Sequence, residues 1–239
     1  MNLKSKRVVV LGGTAGIGLG VARAAIAEGA KAVVASSSQA RLTAALGAIG
    51  GQAEGRLVDL ADEGATQSFF EQVGPFDHLV YCAGEPLQLL GADADLAVVR
   101  KFFEVRYWGA FAAAKHGHKL ILPGGSIVLT SGTASARPLG PGWAAASSIC
   151  SAMEGLTKAL AVELQPLRVN CVAPGVVKTD LWSSMTDVER DAFYSAEADR
   201  LPVRHVGEVD EIAQAYVYLM KQTYVSGQTL YVDGGGLLA

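Results

Sequence analysis

The sequence predicts an α/β fold, a single domain with a doubly wound parallel β-sheet flanked by helices. Short runs of β-branched residues alternate along the chain with longer, alanine-rich segments, a pattern typical of strands and crossover helices. Crossovers between parallel strands are right-handed, so such a series folds into one sheet covered by helices on both faces. The length of 239 residues and the hydrophobic fraction of 50% suit one large core. We therefore expect residues 1–239 to form one domain.

Each element follows from a local pattern. Seven strands are predicted, at residues 7–11, 32–35, 56–58, 78–81, 126–130, 168–172 and 228–232. Other segments are long enough for crossover helices, such as residues 17–28, 96–118 and 147–164. Residues 178–206 are the least regular part of the chain, and we predict a mobile flap over a pocket there. Ligands of such sheets bind beyond the carboxyl ends of the strands.

Composition and charge restrict the function classes. The formal net charge is −3, and the only basic cluster, at residues 4–7, comes just before the first strand, so a nucleic-acid partner is not expected. No apolar stretch is long enough to span a bilayer, and the run at residues 8–11 is too short for a secretion signal. We therefore expect a cytoplasmic protein without a membrane partner. The three cysteines, Cys82, Cys150 and Cys171, lack metal-ligand spacing, so neither a metal site nor a disulfide is predicted.

A glycine-rich turn follows the first strand directly and opens the first predicted helix. The turn reads Gly12-Gly13-Thr14-Ala15-Gly16-Ile17-Gly18. Its glycines allow the backbone to approach a phosphate closely, and the N–H groups and dipole of the helix N-terminus attract negative charge. The sequence therefore predicts a dinucleotide pyrophosphate site, with cofactor contacts from Gly12, Thr14, Gly16, Ile17 and Gly18.

Together with this turn, motifs along nearly the whole chain resemble the short-chain dehydrogenase/reductase family. Gly12, Gly16 and Gly18 match its Gly-x-x-x-Gly-x-Gly pattern. Further stretches are similar to family motifs, at residues 58–60, 81–84, 153–160, 168–175, 179 and 232–235. The resemblance implies a Rossmann-type fold and a nicotinamide cofactor. It also implies cofactor contacts from Asp59, Leu60, Ala83, Gly84, Pro174, Gly175 and Thr179.

The end of the second predicted strand bears on the choice between NAD and NADP. An acidic residue there would bind the ribose hydroxyls of NAD and repel the 2′-phosphate of NADP. The chain instead has Ser36, followed by Ser37, Ser38 and the cation of Arg41. We therefore favour NADP(H) over NAD(H), with Ser36, Ser37 and Arg41 as contacts. Ser38 fits equally well as the N-cap of the next helix.

The resemblance also implies a catalytic Tyr-x-x-x-Lys pair, which this chain lacks. Counting back from the motif at residues 154–157 places Ala146 at the Tyr position and Cys150 at the Lys position. A shifted alignment does not restore the pair, because no tyrosine lies between Tyr107 and Tyr194. Hydride transfer to a carbonyl leaves an alkoxide that needs a proton, so another donor is required.

Arg106, Ser131 and Thr133 are the candidate catalytic residues. Arg106 stands where the family has an Asn, and its cation would stabilise an oxyanion, bind a substrate carboxylate or phosphate, or replace the lysine's contacts with the cofactor. The alternative for Arg106 is an internal ion pair, with Glu104 or another acid. Ser131 and Thr133 both lie near the position of the family Ser, after the fifth predicted strand. Trp143 would either line the substrate pocket or pack as a buried indole.

These residues predict an NADP(H)-dependent oxidoreductase that acts on a small organic carbonyl, alcohol or activated alkene by an atypical proton path. Water or a hydroxyl of Ser131 or Thr133 would supply the proton, and Arg106 would stabilise negative charge. Two alternatives stay open: a catalytically silent nucleotide-binding sensor or partner protein, and a non-redox enzyme in the same pocket. The resemblance further implies a homodimer or homotetramer. An apolar stripe would serve that contact or the core, at Met153, Leu156, Leu160 and Leu164.

Overall fold

A computed structural model describes residues 2–85 and 88–239, and its seven strands form one sheet. The strands are β1 (Arg7–Leu11), β2 (Lys31–Ser36), β3 (Ala53–Leu57), β4 (Phe76–Tyr81), β5 (Ile121–Thr130), β6 (Arg168–Pro174) and β7 (Thr229–Val232). Their order across the sheet is β3-β2-β1-β4-β5-β6-β7, and every neighbouring pair is parallel. The predicted doubly wound parallel sheet is confirmed.

Helices cover both faces of this sheet. They are α1 (Gly16–Ala27), α2 (Gln39–Ile49), α3 (Glu63–Val73), α4 (Leu96–Phe103), α5 (Ala110–Gly117), α6 (Ala144–Glu163), α7 (Asp187–Arg200) and α8 (Val209–Lys221). A π-helical segment, Glu104–Gly109, joins α4 to α5. Helices α1, α2 and α8 pack on one face, and α3 to α6 pack on the other. In the described part of the chain, no helix is both long enough and apolar enough to cross a membrane.

Alternate residues of the central strands contribute to the two halves of the core. On β1, Val9 and Leu11 belong to the hydrophobic cluster under α3 to α6, whereas Val8 and Val10 belong to the cluster under α1 and α8. This follows from the two-residue period of a strand. Because both faces are covered, such strands read as continuous apolar runs, which is why the sequence pattern locates them.

The apolar stripe of the predicted interface helix belongs to the core. Met153, Leu156 and Leu160 of α6 are buried in the same hydrophobic cluster as Val9, and Leu164 packs against this cluster. Of the two roles that the sequence leaves open for this stripe, the structure selects core packing. A subunit contact on α6 would therefore have to use another face of the helix.

The third strand differs from its prediction. It spans Ala53–Leu57 rather than residues 56–58, and its side chains are only partly buried. Polar residues fill this edge strand, where Glu54 pairs with Arg56 and lies 3.2 Å from Arg7 Nη2. Ion pairs at a sheet edge carry no apolar period, so the sequence pattern misplaces the strand.

The region predicted to be the least regular contains a helix, α7. Thr186 Oγ1 accepts a hydrogen bond from Glu189 N at 3.3 Å, and the Glu189 carboxylate accepts one from Thr186 N at 2.9 Å. This reciprocal capping box starts the helix. No residue of α7 itself is fully buried, so the apolar periodicity that would reveal it is weak. The prediction of irregular structure over residues 187–200 was wrong.

Candidate active site

The β1–α1 turn and the segment after β4 meet at the carboxyl edge of the sheet. Strands β1 and β4 are neighbours although they are not consecutive in sequence, so a crevice forms between their outgoing segments. Cys82 N donates a hydrogen bond to Leu11 O at 2.9 Å. Gly12 has a φ of 77°, and a Cβ there would lie 2.6 Å from the backbone of Ala83. Only glycine fits this position.

The N-terminus of α1 is suited to an anion. Its N-cap, Ala15, makes no side-chain hydrogen bond to the helix, and the first turn holds no acidic residue. Gly16 begins the helix with a φ of 47°, and a Cβ on Gly18 would lie 2.2 Å from a backbone oxygen of the glycine turn. Thr14 and Ile17 are partly buried in the same turn. The uncapped amides and the positive end of the helix dipole fit a pyrophosphate.

The serines at the end of β2 differ in what their hydroxyls do. Ser36 is buried, and its Oγ accepts from Ser38 N at 3.2 Å, which leaves the hydroxyl proton for another partner. Ser38 Oγ accepts from Arg41 N at 3.4 Å and is the N-cap of α2. Ser37 and the Arg41 side chain are exposed at the same corner. This corner therefore offers a hydroxyl and a cation to a phosphate.

Asp59 and Leu60, two of the predicted cofactor contacts, follow β3. Asp59 is exposed, and its Oδ1 accepts from Ala61 N at 3.0 Å, so the carboxylate shapes its own turn. Leu60 is buried in the main core cluster. The pair therefore places an acid and an apolar side chain beyond the strand end.

The loop after β6 reaches the glycine turn. Gly175 follows Pro174, the last residue of β6, and a Cβ on Gly175 would lie 2.9 Å from Asp233 Cα. Farther along this loop, Thr179 Cγ2 lies 3.4 Å from the position that a Cβ on Gly16 would occupy. The loop after β6 and the glycine turn thus border one crevice.

Arg106 lies in the π-helical segment Glu104–Gly109, which interrupts the helix predicted over residues 96–118. Its Nη2 donates to the backbone oxygen of Glu85, and its Cζ lies 4.8 Å from the centroid of the Phe102 ring. A Cβ on Gly84 would lie 2.8 Å from Arg106 Cζ. The guanidinium is therefore enclosed between its own helix and the segment after β4. π-Helical segments occur frequently at functional sites.

The Arg106 charge is largely desolvated. Burial lowers the pKa of the guanidinium, and the negative charge of nearby Glu85 partly offsets this shift. Among residues 2–85 and 88–239, no carboxylate lies within 4.0 Å of the guanidinium nitrogens, so the alternative of an ion pair with Glu104 is wrong. Arg106 Nε is also buried and has no hydrogen-bond partner among these residues. The side chain thus keeps donor capacity for a ligand.

Ala146 and Cys150 lie one helical turn apart on α6. Ala146 is buried, and Cys150 Sγ lies 3.2 Å from the position that a Cβ on Gly132 would occupy. Burial raises the pKa of the Cys150 thiol to about 11, although a hydrogen bond from Ser131 and the charge of Arg106 oppose the shift. At neutral pH this thiol is protonated and is a poor nucleophile. Arg106 and Cys150 are near enough to influence each other electrostatically.

The two candidate hydroxyls are placed differently. Ser131 Oγ lies 3.0 Å from Cys150 O and 3.3 Å from Glu154 Oε1, so it donates toward α6. Thr133 begins a short 3-10 helix and lines a small cavity together with Gly175. Thr133 therefore lies near the loop after β6, whereas Ser131 belongs to a hydrogen-bond network within the protein.

Comparison with known proteins agrees with this geometry. A family model described as enoyl-(acyl carrier protein) reductase matches residues 12–236. Short-chain dehydrogenase/reductase ucsE of Acremonium sp is 33% identical over 99% of this chain and 97% of that protein. The chain belongs to the short-chain dehydrogenase/reductase family.

Solved structures of this family share the fold. A small-chain dehydrogenase in complex with NADPH is 37% identical, with a TM-score of 0.86 over 99% of this chain and 100% of that chain. The MalC Reductase/Diels-Alderase from Malbranchea aurantiaca is 30% identical, with a TM-score of 0.91 over 99% of this chain and 98% of that chain. The Rossmann-type fold and the family resemblance are confirmed.

In this short-chain dehydrogenase/reductase, sequence reasoning missed a polar network beside the site. Glu154 Oε1 accepts from Ser135 Oγ at 2.5 Å and from Tyr231 Oη at 3.2 Å. The network ties α6 to β7 and to the segment after β5, and it includes Ser131. Its members are distant in sequence, and the only local signal is that Glu154 follows Cys150 by one helical turn. No sequence pattern indicated the role of Glu85, whose backbone oxygen accepts a hydrogen bond from Arg106.

Proposed function

We propose that this protein is an NADP(H)-dependent oxidoreductase that acts on a carbonyl, an alcohol or an activated alkene of a small organic molecule, with an atypical proton path. One observation carries the proposal. The Arg106 guanidinium is desolvated between its own helix and the segment after β4, and its Nε has no partner in the described chain. A buried cation with unused donors suits the negative charge that develops on a substrate oxygen.

The crevice supplies suitable groups for each part of the cofactor. The pyrophosphate would lie on the turn at residues 12–18, where the helix amides are uncapped. Ser37 and Arg41 would hold the 2′-phosphate, and Gly175 and Thr179 would border the nicotinamide. The NADPH complex of a structural neighbour supports a nicotinamide cofactor. When bound, the nicotinamide would supply or accept a hydride.

The proton would not come from a tyrosine of α6. Arg106 would hold the negative charge on the substrate oxygen, in a site where burial strengthens electrostatic interactions. Water or the Thr133 hydroxyl, on the Gly175 side, would deliver the proton. Ser131 would do so only after turning away from the Cys150 backbone oxygen. An enolate formed from an activated alkene takes its proton from solvent and needs no positioned acid.

The test begins with calorimetric titration by NADPH and NADH and continues with a screen of carbonyls and enones for NADPH oxidation. We expect tighter binding of NADPH and substrate-dependent oxidation. Arg106→Ala should lower kcat/KM about a hundredfold, because a lost donor to an oxyanion costs about that much. Arg100→Ala removes an exposed arginine of the same helix and should keep full activity. Full activity of Arg106→Ala, or no binding of either cofactor, would contradict the proposal.

The residue types at positions 146 and 150 favour a second function. Ala146 and Cys150 provide neither a phenol nor an ammonium group. A catalytically silent nucleotide-binding sensor or partner protein would bind NADPH tightly and turn over no carbonyl or enone. A non-redox reaction in the same pocket would form product without net cofactor consumption. The non-redox alternative is supported by the name of one structural neighbour, the MalC Reductase/Diels-Alderase.

A further inference from the structure

A cleft of about 780 Å³ opens between the segments at residues 89–98 and 138–147. Most of its wall is apolar, and its larger apolar lining residues are Leu89, Leu90, Val98, Pro138, Pro141 and Trp143. The two segments touch each other, since a Cβ on Gly142 would lie 3.0 Å from Leu89 Cβ. A cleft of this size with apolar walls is typical of small-molecule sites.

Trp143 connects the cleft with the candidate active site. Its side chain packs both against the main core and against a small cluster that contains Val176. Val176 directly follows Gly175 of the nicotinamide-side loop. Ala144 and Ser147 of α6 also line the cleft, within two residues of the position aligned with the family's Tyr. Trp143 therefore forms a wall between the cleft and the loop that follows β6.

The polar lining of the cleft is acidic or neutral. Asp93 is exposed, and Asp95 caps the N-terminus of α4 with one carboxylate oxygen. Ser147 Oγ is buried and has no partner among the described residues. Of the lining residues that the structure describes, none is Lys, Arg or His. Arg137 is adjacent to the cleft in sequence, but its Nη1 donates to Gly236 O at 2.9 Å.

We propose that the substrate of this cleft is a bulky, neutral and largely apolar small molecule, and that Asp93 and Asp95 exclude coenzyme A and acyl-carrier thioesters. Such carriers bear phosphates, which proteins bind with cations and which carboxylates repel. The inference rests on the proposed function, because it assigns a substrate class to the same site. It separates this chain from the carrier-bound substrate in the description of the matching family model.

A second copy of this chain is the competing occupant of the cleft. The small molecule is favoured because Trp143, which lines the cleft, also packs against the cluster that contains Val176, the residue after Gly175. The unpartnered Ser147 hydroxyl would orient one polar group of a ligand, as in other apolar pockets with few polar groups.

Equilibrium binding tests the inference without requiring turnover. The whole protein, with and without NADPH, is titrated calorimetrically with a neutral tetracyclic steroid enone, with the hemisuccinate ester of that steroid, and with crotonyl-CoA. We expect the neutral enone to bind, the hemisuccinate to bind about tenfold more weakly, and the thioester not to bind. Asp93→Asn should strengthen hemisuccinate binding about fivefold and leave the neutral enone unchanged. Asp210→Asn, at an exposed position on α8, is the matched control and should change neither affinity.

Two wall variants test whether the ligand occupies this cleft. Trp143→Ala should weaken binding of the neutral enone about tenfold, because a large aromatic wall is lost. Trp143 also packs against the core, so Leu89→Ser is the second variant. Leu89 is 62% exposed, so the substitution leaves the fold intact and should weaken enone binding about threefold. Unchanged enone affinity in Leu89→Ser would overturn the assignment to this cleft.

Two further outcomes would overturn the inference and leave the proposed function standing. The first is binding of crotonyl-CoA as tight as that of the neutral enone. The second is no enone binding together with a smaller assembly in solution for Leu89→Ser, which would make the cleft an interface between copies. NADPH binding and Arg106-dependent turnover are measured separately, so failure of the substrate class is distinguishable from failure of the oxidoreductase proposal.

Discussion

At the residue scale, Gly12 shows how one backbone position holds together two segments at the carboxyl edge of the sheet. Its φ of 77° lies in the left-handed region, and a Cβ would lie 2.6 Å from both N and Cα of Ala83. Conformation and space therefore both require glycine here. Because the two backbones are in contact, a shift of the glycine turn would displace the segment after β4 that holds Arg106.

Gly12→Ala should weaken NADPH binding and lower the free energy of unfolding by about 1–3 kcal/mol, because the methyl group pushes the turn away from Ala83. Calorimetry and denaturant unfolding measure the two effects. Gly47→Ala in α2 is the matched control, since a Cβ there meets nothing within 4 Å. It should leave binding unchanged and stabilise the protein by about 0.5–1 kcal/mol. Normal NADPH affinity in Gly12→Ala would exclude this turn from the cofactor site.

At the scale of elements, the π-helical segment Glu104–Gly109 positions the candidate site. One extra residue in the helix rotates the side chains that follow by about 100°. The segment is supported from β4, where the Tyr81 hydroxyl donates to the backbone oxygen of Val105. Gly109 leaves room for this phenol, since a Cβ there would lie 2.5 Å from Tyr81 Oη. Tyr81, the first residue of the stretch 81–84 that is similar to a family motif, thus stabilises the helix that carries Arg106.

Strands β4 and β5 share a buried histidine contact. His78 and Ser126 are paired in the strand register, and His78 Nδ1 lies 2.9 Å from Ser126 Oγ. Burial lowers the pKa of His78 to about 4. The negative charge of Asp77 opposes this shift, and the positive charges of Arg168 and Lys6 add to it. The imidazole is therefore neutral in the folded protein across the physiological range.

This contact predicts a loss of stability in acid. The unfolded chain binds a proton at His78 near pH 6.5, above the folded-state pKa, so the stability supplied by the neutral imidazole is complete above that pH. It is lost as the pH falls toward 4, by about 3 kcal/mol in all. Denaturant unfolding from about pH 7.5 to about pH 4.5 should show a smaller loss for His78→Gln than for the wild type. His205→Gln, at an exposed histidine, should not reduce the loss. Identical curves for the wild type and His78→Gln would refute the assignment.

At the scale of the whole molecule, two adjacent helices expose apolar and small side chains. Trp108 is 56% exposed and Phe111 is 41% exposed, on the helix that runs through the π segment into α5. The adjacent helix α6 exposes Ser148, Ser151 and Gly155, which allow close approach of another surface. Exposed apolar patches of this kind mark interaction sites. This face is where we propose that copies of the chain meet.

We expect a homodimer or homotetramer in solution. Trp108→Glu should raise the subunit dissociation constant about tenfold or more, because it places a charge in an apolar contact. Size-exclusion chromatography with light scattering over a dilution series measures this change. Tyr224→Glu, at a 98% exposed loop position, is the control and should leave the mass unchanged. A monomeric wild type at all concentrations would contradict the expectation.

The predictability of each part of the molecule depended on whether its signal was local. Strands covered on both faces were found to within a few residues, as for β1 and β6, because apolar burial dictates their composition. Strand β3 was misplaced because ion pairs occupy it. Helix α7 was missed because a capping box, and not an apolar period, defines it. In the site, the glycine turn could be predicted because it depends on the backbone conformation of a few neighbouring residues, as the φ of Gly12 shows.

The sequence by itself determined the strand and helix alternation, the glycine-rich turn, and the absence of a phenol and an ammonium group at positions 146 and 150. These properties reside in neighbouring residues or in residue type alone. Only the tertiary structure decided that Arg106 binds the Glu85 backbone and that Ser131 donates toward α6. It also decided that a mainly apolar cleft with two aspartates in its lining lies beside Trp143. The reason is physical. Desolvation, hydrogen-bond partners and cleft charge arise from contacts between segments that are distant in sequence, and only folding brings those segments together.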